Sequence, residues 1–124
     1  MQPESEPWIR FARDDLAVGR LALEGGYFHQ ACFHAQQASE KFLKAWWAGR
    51  LLAVPRTHKL TDLLSLPKIP IDDAFRLRIQ KLDRFYIPTR YPDALPGSLP
   101  QGLPGADDAK EALDVATALA GYFG

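Results

Sequence analysis

A single cysteine, Cys32, leaves the chain no internal disulfide, and the paired cysteines of a zinc site are missing. Histidine is scarce too: His29, His34 and His58 are the whole set. His29 and His34 stand five apart, on different sides of a helix, so they make a poor metal pair. No resident metal or cofactor is expected. No apolar run approaches the roughly 20 residues that span a bilayer. The opening MQPESEPW is acidic and broken by prolines, unlike a secretory leader. These absences point to a cytoplasmic protein without a membrane role. Strand-like alternation is lacking, as are a glycine-rich phosphate loop and any nucleophile–base pair that spacing could identify. Acidic residues are absent from Lys41 to Thr61.

What is present suits one helical domain over residues 1–124. A chain of 124 residues can bury a modest single core, removing roughly two-thirds of its unfolded surface from water. Five helices are predicted. The first runs from about Pro7 to Glu24, with Ser5 as its cap and Trp8, Phe11 or Ala12, Leu16, Gly19 and Leu23 facing inward. Gly25-Gly26 turns the chain into an antiparallel second helix, about Tyr27 to Leu52. A short third helix, about His58 to Leu66, has Thr57 as its cap. The fourth opens at Asp72 or Asp73 and stops at Pro88. Prolines at 88, 92, 96, 100 and 104 keep the next stretch from forming helix or central strand. The fifth helix runs from about Ala106 to Tyr122. The expected architecture is all-α: an antiparallel, up-and-down four-helix bundle with one short extra helix and a long proline-rich loop before the last helix.

The second helix carries two patterns. Phe28, Ala31, Ala35, Ala38, Phe42, Ala45, Gly49 and Leu52 form an apolar stripe rich in small residues. His34, Gln37, Lys41 and Lys44 recur with the same steps as a polar row, with Glu40 beside it. Large apolar groups flank that row: Phe33, Leu43, Trp46 and Trp47. A polar row in such company suits a cleft or an oligomer seam. Pairing of its lysines with Glu40 and with the aspartates of the first helix is the competing assignment.

Net charge is zero but unevenly spread. Residues 1–40 carry three basic and six acidic side chains, residues 41–90 eleven and four, and residues 91–124 one and five. A basic middle between acidic ends is either neutralised by those ends or faces an anion. Lys41 and Lys44 offer mobile positive charge, and Gln37 both donates and accepts. Arg90 and Tyr91 beside Arg84 suit an anion clamp, and an internal Arg90–Asp93 pair suits the same residues equally well.

The strings FHAQQASEKFLKAWW, THKLTDLL and RFYIPTRYPD resemble a HEPN domain of the stand-alone prokaryotic kind. The resemblance spans Phe11 to about Asp93, and the last helix fits in position. It implies a helical bundle that pairs with its own copy. It also implies a separately encoded minimal nucleotidyltransferase as partner, in a toxin–antitoxin-like pair, and a role in binding nucleotide or RNA. The matching positions are Gln37, Glu40, Lys41 and Lys44, then His58, then Arg90, Tyr91 and Asp93. One departure is clear. Ribonuclease members carry an arginine, four to six residues, and a histidine near the start of the last helix. Here that helix begins ADDAKEAL, and no histidine follows His58. Arg50 and His58 straddle a proline and do not replace the pair. The leading expectation is a non-enzymatic, homodimeric nucleotide- or RNA-binding module. A metal-independent ribonuclease using His58, Arg84 and Arg90 is the alternative, and a purely structural oligomeric adaptor the third.

Overall fold

The computed structural model describes residues 3–65, 69–86 and 103–123. Among them the chain forms five α-helices and two short 3-10 helices, and no strand. The α-helices are α1 (Glu6–Glu24), α2 (Phe28–Gly49), α3 (Leu60–Leu63), α4 (Asp73–Gln80) and α5 (Ala106–Phe123). One 3-10 turn, Pro3–Ser5, leads into α1; the other, Lys81–Phe85, continues α4. The all-α bundle expected from the periodicity is the architecture found.

Helix α2 is central, packing against α1, α5, α3 and the second 3-10 helix. Its small-residue stripe explains why. Ala31, Ala35, Ala38 and Ala45 are buried with Phe42 between them, so neighbouring backbones approach closely. Gly19 serves the same purpose on α1. A Cβ there would sit 2.9 Å from Leu113 Cδ2 on α5 and 3.5 Å from the Ala31 carbonyl on α2. Glycine costs helix propensity at such a site, and the three-helix contact offsets it. Gly25 ends α1 by donating to the Leu21 carbonyl, and Gly26, at φ +80°, makes the left-handed turn into α2. Cys32 is fully buried, and burial is the main reason its thiol is pushed up to about 12.

Several local expectations need correction. Ser5 does not cap α1; its hydroxyl donates to the Ala45 carbonyl at 2.9 Å and docks the N-terminal turn onto α2. Ile9 and Ala12 fill the inward side of α1, while Phe11 is exposed. Helix α2 stops at Gly49, short of Leu52. Leu51 takes the left-handed conformation at φ 57°. Its amide donates to Ala48, and the Leu52 amide donates to Trp47. That is a Schellman ending with leucine where glycine usually stands, so composition did not announce it. Helix α3 has four residues and begins at Leu60, not His58. Thr57 does not cap it; its Oγ1 donates to Asp62 and accepts from the Lys59 amide. Leu66, the predicted end, lies outside the described residues, as does Pro88.

Candidate functional site

Glu40 organises the polar side of α2. Its carboxylate is almost wholly buried, at 3% exposure, and both oxygens are engaged. Oε2 accepts from Lys44 Nζ at 3.0 Å. Oε1 lies 3.3 Å from His58 Nδ1 and 3.4 Å from Gln37 Nε2. Lys44 is itself buried, with its ammonium 5.5 Å from the Trp8 ring centroid. A buried carboxylate is tolerated when its charge and lone pairs are met in this way. Gln36, fully buried, donates to the His58 carbonyl at 2.8 Å and accepts from Gln37 at 2.7 Å. His58 is therefore held through both its backbone and its ring. Among the described residues no buried side-chain polar atom lacks a partner.

A second cluster lies on α2 against α1. Asp15 accepts from Lys41 and sits 3.1 Å from His34 Nδ1. Burial alone would raise the Asp15 carboxyl. The hydrogen bonds and charges of His34 and Lys41 together outweigh it, and the net direction is down. A carboxyl lowered in the fold adds stability that is complete above its unfolded value and is lost as pH falls through the folded one. Asp15→Asn is therefore expected to lower Tm at neutral pH, with the gap to wild type closing only as pH falls below the ordinary carboxylate range. Thermal melts across that range check it.

The imidazole of His58 reaches a cleft of about 770 Å³ lined by Arg56, Thr57, His58, Lys59, Thr61, Asp62, Asp83 and Tyr86. Pockets for small ligands usually measure about 300–1,000 Å³. Both of its carboxylates are held by neutral donors. Asp62 accepts from Thr57, and Asp83 accepts from the Leu60 and Thr61 amides and from Thr61 Oγ1. Asp83 thus caps α3 from a distant part of the chain. The side chains of Arg56 and Lys59 are exposed and have no partner among the described residues. The cleft offers these two cations, a fixed imidazole and a tyrosine. The Tyr86 ring stacks on His58, with centroids 4.6 Å apart and planes 11° from parallel.

Of the binding residues singled out in the sequence, His58 alone among the described ones lines this cleft. Gln37 and Lys44 connect to it through Glu40. His34 and Lys41 belong to the Asp15 cluster, so the polar row is divided and does not line one open hollow. Arg84 turns toward α5, 3.6 Å from Asp108 and over the Phe85 ring. Arg90, Tyr91 and Asp93 lie outside the described residues. Sequence reasoning passed over Gln36, Arg56, Lys59, Asp83 and Tyr86. The acid-free stretch from Lys41 to Thr61 was the signal for Arg56 and Lys59. Asp83 had none, because its partners stand 22 and 23 positions away. No group of three or more His, Cys, Asp or Glu among the described residues could hold a metal ion, and no described helix is long and apolar enough to cross a membrane.

Comparison with known proteins agrees with this fold. Residues 5–122 match the family model for the HEPN domain. A crystal structure of the Thermus thermophilus protein TT1696 is similar at 34% identity and a TM-score of 0.81, covering 97% of this chain and 95% of that one. An archaeal HEPN homologue, ST0689, is similar at 30% identity and 0.77, covering 98% and 96%. A HEPN domain protein of Thermotoga maritima follows at 25% identity and 0.71, covering 93% and 92%. No curated protein matches the chain. With the family model covering nearly all of its length and two solved relatives at or above 30% identity, the chain belongs to the HEPN domain family.

Proposed function

We propose that this HEPN chain is a nucleotide- or RNA-binding module, and that its ligand's phosphate rests in the cleft between Arg56, His58 and Lys59. The observation that carries the reading is a pair of cations, without partners among the described residues, beside a histidine fixed by a buried carboxylate. Arginine grips a phosphate with two parallel donors, and lysine adds a point charge. The Nε2 of His58 is left for the ligand, since Nδ1 faces Glu40.

Calorimetric titration with AMP and with a short RNA at low salt tests this. Binding is expected in both. Arg56→Ala and Lys59→Ala are each expected to weaken it about tenfold or more, as loss of a charge-assisted hydrogen bond does. Each should also lower the salt dependence of RNA binding by about one phosphate contact. Absence of binding at low salt, or affinity equal to wild type in both variants, would overturn the assignment.

The protein acts as a homodimer in this account. Support comes from exposed Val18, Leu21 and Tyr27 beside a groove of about 450 Å³ that Ala22, Gln30 and His34 also line. Phe11, seven positions before Val18, is exposed on the same side of α1. Partnership with a minimal nucleotidyltransferase, in a toxin–antitoxin-like pair in the cytoplasm, rests on the family resemblance. A ribonuclease reading has one observation behind it: a carboxylate that orients a histidine, the arrangement of a general base. The missing arginine–histidine pair on α5 places that reading second. The RNA recovered from the same titrations, run on a gel, separates the two.

A further inference from the structure

Three aromatic rings lead to the cleft. Phe33 of α2, Tyr86 and His58 form a near-parallel run. Phe33 and Tyr86 are 6.4 Å apart at 22°, and Tyr86 and His58 are 4.6 Å apart at 11°. The run ends at the cleft. Tyr86 covers one face of the imidazole, yet the His58 side chain is still 57% exposed. The ring borders the cleft, and its face away from Tyr86 has no aromatic partner among the described residues.

Two contacts orient that ring, Nδ1 against Glu40 and the Tyr86 stack, while Gln36 holds the backbone beneath it. A ring held this firmly loses little freedom when another ring lies on it, so stacking there is cheap in entropy. Arg56 and Lys59 stand on either side of His58 in the chain and line the same cleft. A phosphate on those cations leaves its sugar and base near the imidazole face.

We propose that His58 is a stacking platform for a nucleobase, so that the cleft selects nucleotides over other phosphate esters by the base. This rests on the phosphate reading above and adds the residue that holds the base. Stacking is tolerant of base identity, because every base presents a π-face. The preference is therefore for a base over no base, with purines ahead of pyrimidines through their larger area.

The test compares AMP with ribose 5-phosphate, which has the same phosphate and sugar and no base. In the wild type AMP is expected to bind about tenfold or more tighter. In His58→Leu the two affinities should converge, and in His58→Phe, which keeps a ring, the gap should persist. The adenine protons of bound AMP should move upfield in wild type and His58→Phe and not in His58→Leu. Binding of ribose 5-phosphate to each variant confirms that its cleft is intact. Equal binding of the two ligands to wild type would overturn the platform and leave the phosphate site standing. A gap that survives in His58→Leu would also overturn it. Failure of both ligands to bind would remove the phosphate reading as well.

Discussion

Glu40→Ala is expected to destabilise the fold by about 3–5 kcal/mol, because it leaves a buried ammonium without its counter-charge. Lys44 is 6% exposed, and Glu40 is its only ion-pair partner among the described residues. Its remaining contact, the Trp8 ring, is worth about 1–2 kcal/mol at a desolvated site and cannot replace a carboxylate. For a chain of this length the loss corresponds to a fall in Tm of roughly 10–20 °C. The double variant Glu40→Leu with Lys44→Met should recover most of it. Removing both charges leaves nothing buried and unpaired, and apolar replacements of similar volume often match or exceed the pair they replace. The double variant should nonetheless bind AMP less tightly than wild type, because the imidazole of His58 then keeps only the Tyr86 stack to orient it. Thermal melts of the three proteins, with AMP titrations of wild type and the double variant, separate the role of Glu40 in folding from its role in the cleft. A single variant as stable as wild type would show that the pair contributes nothing to the fold.

Asp83→Ala carries the second-largest effect, about 2 kcal/mol. A four-residue helix does not persist alone, because nucleating a helical turn costs more than one hydrogen bond returns. Helix α3 exists because Asp83 satisfies two of its first amides, at 2.6 Å and 3.1 Å, and the Thr61 hydroxyl at 2.8 Å. Leu60, Leu63 and Leu64 then stay in the core. Loss of the carboxylate should raise hydrogen exchange at residues 59–64 far more than along α1 or α5. It should also weaken AMP binding, because Thr57 to Thr61 form one wall of the cleft. Asp83→Asn keeps one acceptor and should lose about half as much. Unchanged exchange in Asp83→Ala would mean that the buried leucines hold the segment without a cap.

Both variants mark where the sequence was readable. The long helices were legible because burial writes a period of three to four into them. The alanine stripe of α2, and Leu16 and Gly19 of α1, fell on the inward side as expected. Helix ends set by local chemistry were also legible: Gly25 closes α1, and Asp72 caps α4 by accepting from the Phe75 amide. Ends set by distant partners were not. Thr57 has the right side chain for a cap and spends it on Asp62, while the true cap arrives from Asp83. Ser5 likewise reaches the Ala45 carbonyl, 40 positions on.

The site follows the same rule. A helical repeat identified the polar row on α2, but it does not say what covers the row. Asp15 draws His34 and Lys41 toward α1, and Glu40 draws Gln37, Lys44 and His58 together. Pairing with acids of the chain, the competing assignment for the lysines, is what the geometry contains. The cations that line the cleft stand past the end of α2, at Arg56 and Lys59, inside the acid-free stretch that had marked the basic middle.

The His58 cleft, and not the α1–α2 face around His34 and Lys41, is the proposed ligand site. Amide and side-chain chemical shifts of isotope-labelled protein, followed through a titration with AMP, test it most directly. The largest changes are expected on Arg56, Thr57, His58, Lys59 and Tyr86. Changes centred on Asp15, His34 and Lys41, with the cleft signals unmoved, would contradict it.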